Sequence, residues 1–313
     1  MNITVLDAET LGGDVCMTPL EEAGTLTLWL RTRNIPERIR EAQVIVTNKE
    51  RLNAENLPYA KNLKLICVTA TGYDNIDLPY CQSHGIAVCN VPGYSTDSVA
   101  QTTLAMVLRL STRLSEYEDH VKTGAYSRGG SKNFLGFPWS ELSGKTWGIL
   151  GGGAIGQKVA QVAEALGCHI LMYRRSTDPH FEMADVDRIC READVISVHL
   201  PLSPETKQLL NRERIAEMKP SVIVVNTSRG AVTDEKALAD AILEHRIGAL
   251  GADVYAQEPF PETHPFAELR DFPNVCLTPH MAWSAIEARN RCVKITAENI
   301  RAFAEGRRQN RIV

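Results

Sequence analysis

The feature that most constrains this chain is a strand–turn–helix–strand spelling near its middle. Lys145-Thr-Trp-Gly-Ile-Leu150 runs directly into Gly151-Gly-Gly153-Ala-Ile-Gly156, followed by a helical stretch from Gln157 to Leu166, then Gly167 and the apolar run Cys168 to Tyr173. Gly151 permits a tight turn, Gly153 lets the backbone approach a pyrophosphate, and Gly156 lets helix and strand pack closely. The helix start adds free N–H groups and partial positive charge, which favour a phosphate. Three glycines at this spacing inside a complete β-α-β unit predict a dinucleotide site on a doubly wound sheet.

The choice between the two nicotinamide cofactors falls to the end of the second strand of such a unit, where an acid would bond a ribose 2'-hydroxyl. Here Arg174 occupies that place, with Arg175 and Ser176 after it. Guanidinium forks and a hydroxyl suit a 2'-phosphate dianion, so the expectation is NADP(H). Asp178 lies close enough in sequence to keep NAD(H) possible.

Short apolar runs alternate with helical patterns from end to end, the sequence form of parallel α/β structure. A first series has strand candidates Ile3 to Leu6, Thr25 to Leu30, Val44 to Thr47, Leu65 to Val68 and Ala87 to Cys89, with helical segments Pro36 to Glu41 and Leu78 to His84. A long helical pattern from Ser95 to Val121 is expected to bridge to the second series. That series comprises Lys145 to Leu150, Cys168 to Tyr173, Val195 to Leu200, Ser221 to Asn226, Leu250 to Val254 and Val275 to Leu277. Nearly continuous apolar character fits strands covered by helices on both faces. Ser284-Ala-Ile-Glu287 has the spelling of a capping box and predicts the start of a last helix. Gly124 to Ser131 reads as a loop.

Composition narrows the partners. The 34 basic and 38 acidic residues are dispersed to a net charge of -4, with no basic block to displace counterions from a nucleic acid. No apolar run is long enough for a bilayer, and Met1 to Glu9 carries acids where a signal peptide would carry Lys or Arg. A cytoplasmic protein without membrane or nucleic-acid partners is expected. The cysteines Cys16, Cys67, Cys81, Cys89, Cys168, Cys190, Cys276 and Cys292 have no zinc-type spacing and are expected to be reduced core thiols, with no metal site.

Three polar residues follow the ends of successive late strands, where an open α/β sheet places its ligands: Arg229, Glu258 and His280. A reductase of 2-oxo acids needs a fork for the carboxylate, a proton donor for the carbonyl oxygen, and a group that keeps that donor charged. Arg, His and Glu fill those roles. Together with Ala70-Thr-Gly72-Tyr-Asp-Asn-Ile-Asp77, Val91-Pro-Gly-Tyr-Ser-Thr-Asp-Ser-Val-Ala-Gln101, the glycine fingerprint, His199-Leu-Pro-Leu-Ser-Pro-Glu-Thr206, Asn226-Thr-Ser-Arg-Gly230, Asp253-Val-Tyr-Ala-Gln-Glu-Pro259 and Thr278-Pro-His-Met-Ala-Trp-Ser284, they resemble the D-isomer-specific 2-hydroxyacid dehydrogenase family. The Val-Pro-Gly-Tyr-Ser-Thr and Pro-His-Met-Ala-Trp-Ser wording looks most like its glycerate dehydrogenase, or hydroxypyruvate reductase, branch.

The resemblance implies two doubly wound parallel-sheet domains. A flavodoxin-like substrate domain would comprise residues 1–95 and 286–313, and a Rossmann cofactor domain residues 96–285. It implies reduction of a short 2-oxo acid, hydroxypyruvate and also glyoxylate, to the D-2-hydroxy acid by hydride from the nicotinamide, in a homodimer. Carried over by position, Arg229 binds the substrate, His280 is the acid/base and Glu258 pairs with it, while Ala70, Thr71 and Gly72 present backbone N–H groups to the carboxylate. Gly151, Gly153, Ala154, Ile155, Gly156, Leu200, Pro201, Thr227 and Ser228 line the cofactor, and Asp253 bonds its carboxamide. Trp283 is either a wall of the substrate pocket or a packing residue.

Two positions depart from the family pattern. Ala70 stands where many members have Gly, and Arg174 where many have Asp. Phosphoglycerate or another D-2-hydroxyacid dehydrogenase is the alternative within the family; a chain without a regulatory domain after Val313 is expected to differ from the long serine-pathway phosphoglycerate dehydrogenases, though short forms exist. The formate-oxidising subgroup pairs its His with Gln, against Glu258 here. A cofactor-sensing corepressor is the alternative from a different class, and it predicts tails and docking segments that this chain lacks.

Overall fold

Runs of three to five mainly apolar residues form most of the strands, and the amphipathic stretches between them form the helices. The computed structural model describes residues 1–313. In chain order the first elements are β1 (Asn2–Val5), α1 (Thr18–Glu21), β2 (Thr25–Leu28), α2 (Ile35–Arg38), β3 (Val44–Thr47), β4 (Leu65–Val68), α3 (Leu78–Ser83) and β5 (Ala87–Cys89). Next come α4 (Thr96–Ser111), α5 (Leu114–Lys122), α6 (Ala125–Arg128), β6 (Thr146–Leu150), α7 (Ala154–Ala165), β7 (His169–Tyr173), β8 (Glu182–Met183), α8 (Val186–Glu192) and β9 (Val195–Val198). The last are α9 (Arg212–Ala216), β10 (Ile223–Asn226), α10 (Glu235–Leu243), β11 (Ala249–Ala252), β12 (Val275–Leu277) and α11 (Ile286–Ala304). The chain divides into two units, one of Met1–Ser95 with Trp283–Val313 and one of Thr96–Ala282.

In the first unit five parallel strands lie in the order β2-β1-β3-β4-β5, the flavodoxin-like arrangement. Because successive strand side chains point to opposite faces, each strand feeds two cores. Val44, Val46, Leu65 and Cys67 meet Val293, Ala297 and Ile300 of α11 on one face. Ile45, Ile66, Val68 and Val88 meet Leu52, Leu57 and Cys81 on the other.

The second unit is a parallel sheet in the order β12-β11-β10-β9-β6-β7-β8. From β6 the strands run β6-β7-β8 in one direction and β6-β9-β10-β11-β12 in the other, the doubly wound Rossmann order with one strand added. Trp147, Ile149, Met172 and Val225 pack with Val159 and Ala163 of α7 and Met106 and Val107 of α4. Leu150, Leu171, Ile196, Val224 and Leu250 pack with Ile189, Leu238 and Ile242 beneath the opposite face. Each large apolar side chain so enclosed contributes about 1.5–3 kcal/mol relative to exposure. All eight cysteines are free thiols, and burial pushes Cys89 up to about 11 and Cys190 up to about 12, which keeps them in the unreactive thiol form.

Several local expectations are corrected. The helical pattern from Ser95 to Val121 is two helices, because Arg113 adopts a left-handed φ of 54° and ends α4 before α5 begins. The last helix starts at Ile286 with Ala285 as N-cap and no side-chain cap bond there, so the Ser284–Glu287 spelling does not form the capping box. Within Gly124 to Ser131 lies the helical turn α6. The two-residue strand β8 was not anticipated; it pairs with Leu171 and Met172 at the sheet edge.

The free edge of β5 is closed by the last residues of the chain. Ile312 donates its N–H to Val88 O at 2.7 Å, and Asn90 donates to Asn310 O at 3.2 Å. Asn310 Nδ2 donates to Asn299 Oδ1 at 2.9 Å, and Asn299 Nδ2 donates to Asn90 O at 3.0 Å, so one buried amide ties α11, the segment at Asn310 and the end of β5 together. Asn299→Leu keeps the volume and strands both partners. It is expected to lower unfolding free energy by about 2 kcal/mol, read from the urea midpoint of intrinsic fluorescence.

Candidate active site

At β6 the strand order reverses, and the loops leaving β6 and β9 diverge, which opens the crevice where open α/β sheets take ligands. The glycine turn is built for close approach. Gly151 has φ 114°, and a Cβ there would lie 2.7 Å from the His199 carbonyl carbon. A Cβ on Gly156 would lie 2.0 Å from Gly151 O, so α7 can touch the turn only without a side chain. Gly153 is the N-cap of α7, no side chain caps it, and an added Cβ would meet nothing within 4 Å. The first N–H groups of α7, including those of Ala154 and Ile155, have no intrahelical acceptor. A pyrophosphate fits this cradle.

Past the end of β7, Arg174 folds back over the same turn, where a Cβ on Gly152 would come within 2.7 Å of Arg174 Cδ. Its Nη1 donates to Asp178 Oδ2 at 2.9 Å. Asp178 also accepts from Gln157 Nε2 at 3.4 Å and from the His180 N–H at 3.0 Å. The His180 N–H, with further help from Arg174, holds the Asp178 carboxyl below the usual range. Arg174 is thus a partnered guanidinium, while Arg175 and Ser176 are exposed. Sequence proximity hinted at Asp178; only the turn geometry shows the ion pair.

Facing the turn, His199 follows β9, with Nε2 3.0 Å from Ser197 Oγ, which also accepts from Trp147 Nε1 at 2.9 Å. Burial pushes the His199 imidazole down to about 3. Leu200 packs against the core beneath the sheet, and Pro201 O accepts from Thr206 Oγ1 at 2.6 Å. Asn226, the last residue of β10, shapes the next loop. Its Oδ1 accepts from Ser228 N and Ser228 Oγ, both at 3.0 Å, and its Nδ2 donates to Arg229 O at 2.9 Å. Thr227 Oγ1 bonds Thr103 Oγ1 of α4 at 2.9 Å. Asn226 and Thr103 had no assigned part in the sequence reading.

Arg229, Glu258 and His280 follow the neighbouring strands β10, β11 and β12 on the same side of the sheet. Glu258 Oε2 accepts from His280 Nδ1 at 2.6 Å, while its Oε1 accepts the Tyr255 N–H at 3.0 Å. That bond fixes the ring orientation through Nδ1. His280 has a left-handed φ of 53°. Asp253 clamps this turn: Oδ1 accepts from Thr278 Oγ1 at 2.6 Å and Met281 N at 2.8 Å, and Oδ2 from Ala282 N at 2.8 Å. The Tyr255 hydroxyl adds a bond to Thr278 O at 2.9 Å, and burial pushes its phenol well up.

The other substrate candidates belong to the first unit. Ala70, Thr71 and Gly72 follow β4. Val91 N donates to Ala70 O at 3.0 Å, Asn90 Nδ2 to Thr71 O at 2.7 Å, and Thr71 Oγ1 to Val91 O at 3.2 Å. Trp283 packs with Val91, Tyr94, Ala288 and Cys292, edge-on to Tyr94 at 6.3 Å.

Residues 104–282 match the family model described as D-isomer specific 2-hydroxyacid dehydrogenase, NAD binding domain. The chain belongs to this family. Among similar dehydrogenases, the hydroxypyruvate reductase of Blautia hydrogenotrophica is 34% identical over 98% of this chain and 98% of its own. The glyoxylate reductase of Thermofilum pendens is 38% identical over 82% of this chain and 76% of its own. A solved D-lactate dehydrogenase from Aquifex aeolicus, complexed with NAD and lactic acid, is 30% identical with TM-score 0.86, covering 98% of this chain and 96% of that one. No helix of this dehydrogenase is long and apolar enough to cross a membrane.

The depressed His199 sets a pH dependence. Its folded value of about 3 lies below the ordinary 6.5, so the unfolded chain binds the extra proton between those limits. Stability is therefore full above pH 6.5 and falls as the pH drops, by up to about 1.4 kcal/mol per unit. Over pH 6.5 to about 5, above the carboxylate range, urea unfolding is expected to show this slope, flattened in His199→Gln.

Proposed function

We propose that this dehydrogenase reduces a short 2-oxo acid, hydroxypyruvate and also glyoxylate, to the D-2-hydroxy acid with NADPH. The observation that carries the reading is the 2.6 Å contact of Glu258 Oε2 with His280 Nδ1 beside the loop of Arg229. The names of the hydroxypyruvate and glyoxylate reductases similar to it support the substrate class. The glycine cradle of Gly151, Gly153, Ala154, Ile155 and Gly156, with Leu200, Pro201, Thr227, Ser228 and Asp253, would hold the cofactor, whose nicotinamide supplies the hydride.

In this reading the Arg229 guanidinium grips the substrate carboxylate through paired N–H bonds and polarises the carbonyl. Backbone N–H groups of Ala70, Thr71 and Gly72 share the carboxylate charge. His280 Nε2 gives its proton to the carbonyl oxygen as charge develops there, and Glu258 balances the imidazolium before transfer. Asp253 holds the His280 turn in place from behind. A panel of hydroxypyruvate, glyoxylate, pyruvate and phosphohydroxypyruvate with NADPH and with NADH tests the assignment, and turnover of none of them would end it. His280→Ala is expected to lower kcat by about 100-fold or more, with cofactor binding nearly intact in a fluorescence titration.

Preference for NADP(H), with NAD(H) accepted, rests on Arg174, Arg175 and Ser176. A 2'-phosphate bonded there gains about 1.5–3 kcal/mol, or about 10- to 100-fold in affinity. Asp178 opposes it by occupying Arg174 and by repelling the dianion, so the balance between these two side chains sets the preference. Arg174→Asp is expected to lose NADPH affinity and gain NADH. Asp178→Asn is expected to move the ratio of KM values further toward NADPH. Equal KM values unmoved by either change would remove both residues from cofactor choice.

A further inference from the structure

Behind the Glu258–His280 pair lies a second, more enclosed Glu–His pair. Glu235 is the first residue of α10 and His264 precedes the turn Pro265–Leu269; their side chains are only 11% and 7% exposed. His264 Nδ1 accepts the Phe266 N–H at 3.1 Å, which leaves the ring hydrogen on Nε2, and this is donated to Glu235 Oε2 at 3.0 Å. The other Glu235 oxygen accepts the Ala256 N–H at 2.8 Å. Ala256 is the neighbour of Tyr255, whose own N–H holds Glu258 Oε1. The same backbone presses on the Arg229 loop, since a Cβ on Gly230 would lie 2.1 Å from Tyr255 C and 2.2 Å from Ala256 N.

We propose that Glu235 and His264 are positioning residues that fix the 255–258 loop and so hold Glu258 on His280, with no contact to substrate or cofactor. The inference rests on the acid/base reading of that pair. A loop on the surface of a sheet, with Ala256, Gln257 and Glu258 all exposed, has few packing contacts of its own to set a carboxylate within hydrogen-bond distance of an imidazole. The largely enclosed carboxylate of Glu235 supplies the missing anchor at Ala256, and His264 fixes which way that carboxylate faces. Phe260 tilts against His264 with centroids at 4.8 Å, which closes the loop's far side. The ionisable groups around the loop, besides the pair itself, are Asp253, Tyr255, Glu258, Cys276 and His280, with Arg229 on the adjoining turn and Arg270, paired to Glu262, over Phe260.

The substitutions separate positioning from bulk stability. Glu235→Gln puts an amide N–H against either His264 Nε2–H or the Ala256 N–H, whichever way it turns. His264→Asn keeps an acceptor for Phe266 N–H and drops the donor to Glu235, whereas His264→Gln restores a donor near the Nε2 position. The readout is the pH dependence of kcat/KM for hydroxypyruvate reduction with NADPH, beside thermal midpoints and the NADPH dissociation constant. Reduction needs protonated His280, so a loosened Glu258 moves the high-pH fall of activity toward acid. Glu258→Gln sets the full effect, about one pH unit or tenfold in kcat/KM above the midpoint.

Glu235→Gln and His264→Asn are expected to give a shift of the same sign and most of that size, with His264→Gln near wild type and NADPH binding unchanged. Adding Glu235→Gln to Glu258→Gln is expected to shift nothing further. If Glu235→Gln does not fold, His264→Asn carries the same comparison. A wild-type midpoint in His264→Asn, with Glu258→Gln shifted, would show the pair to be merely structural. A Glu258→Gln profile that does not move would instead overturn the acid/base reading, and the positioning role with it.

Discussion

A parallel sheet covered on both faces leaves no room for polar chemistry along its strands, and the rest of this structure follows from that constraint. The strand residues of β9 and β10 are buried without exception, and the polar ones, Ser197 and Asn226, are held by Trp147, His199 and the Ser228–Arg229 loop, so Arg229, Glu258 and His280 lie past the carboxyl ends. Arg229, Glu258 and His280 leave the sheet on three adjacent strands, and the strand spacing brings their loops within reach of one another. Each loop has a hydrogen-bonding side chain at its root: Asn226 on the Arg229 carbonyl, Glu235 on the Ala256 N–H and Asp253 on the Met281 N–H.

The strands were legible because burial on both faces demands uninterrupted apolar runs. Val44–Thr47, Leu65–Val68, Ala87–Cys89 and Val275–Leu277 have the limits expected from the sequence. What failed was decided by backbone geometry rather than side-chain pattern. The apolar periodicity crosses Arg113 without a break, yet the left-handed φ there divides the helix. The capping-box letters at Ser284 are present, but the helix begins one residue too late to use them. At the site, the residues with chemical character stood out in sequence, and the fold brings Glu258 and His280 into contact. Of the anchors, Asp253 stands out in sequence only for a cofactor bond and not for its clamp on the His280 turn, and Asn226 and Glu235 do not stand out, because each acts on a backbone N–H or carbonyl that sequence cannot place. Glu235 reaches Ala256 across 21 positions and Asp253 reaches Met281 across 28.

The adenosine end of the cradle shows the same dependence on context. Arg174 alone reads as a cation awaiting a phosphate, but Asp178 returns through a short turn to meet it. The field there is a difference between two opposed charges, not the charge of one side chain. Small changes in the turn, which Gln157 and the His180 N–H also grip, would alter that difference without touching either residue.

His280 sits at φ 53°, in a region where a side chain with a Cβ crowds its own backbone and where glycine or asparagine rests more easily. The carboxylate clamp of Asp253 holds it there. Backbone stability alone therefore favours a glycine or an asparagine at this position. The imidazole persists in a conformation that a library screened only for folded protein would tend to abandon.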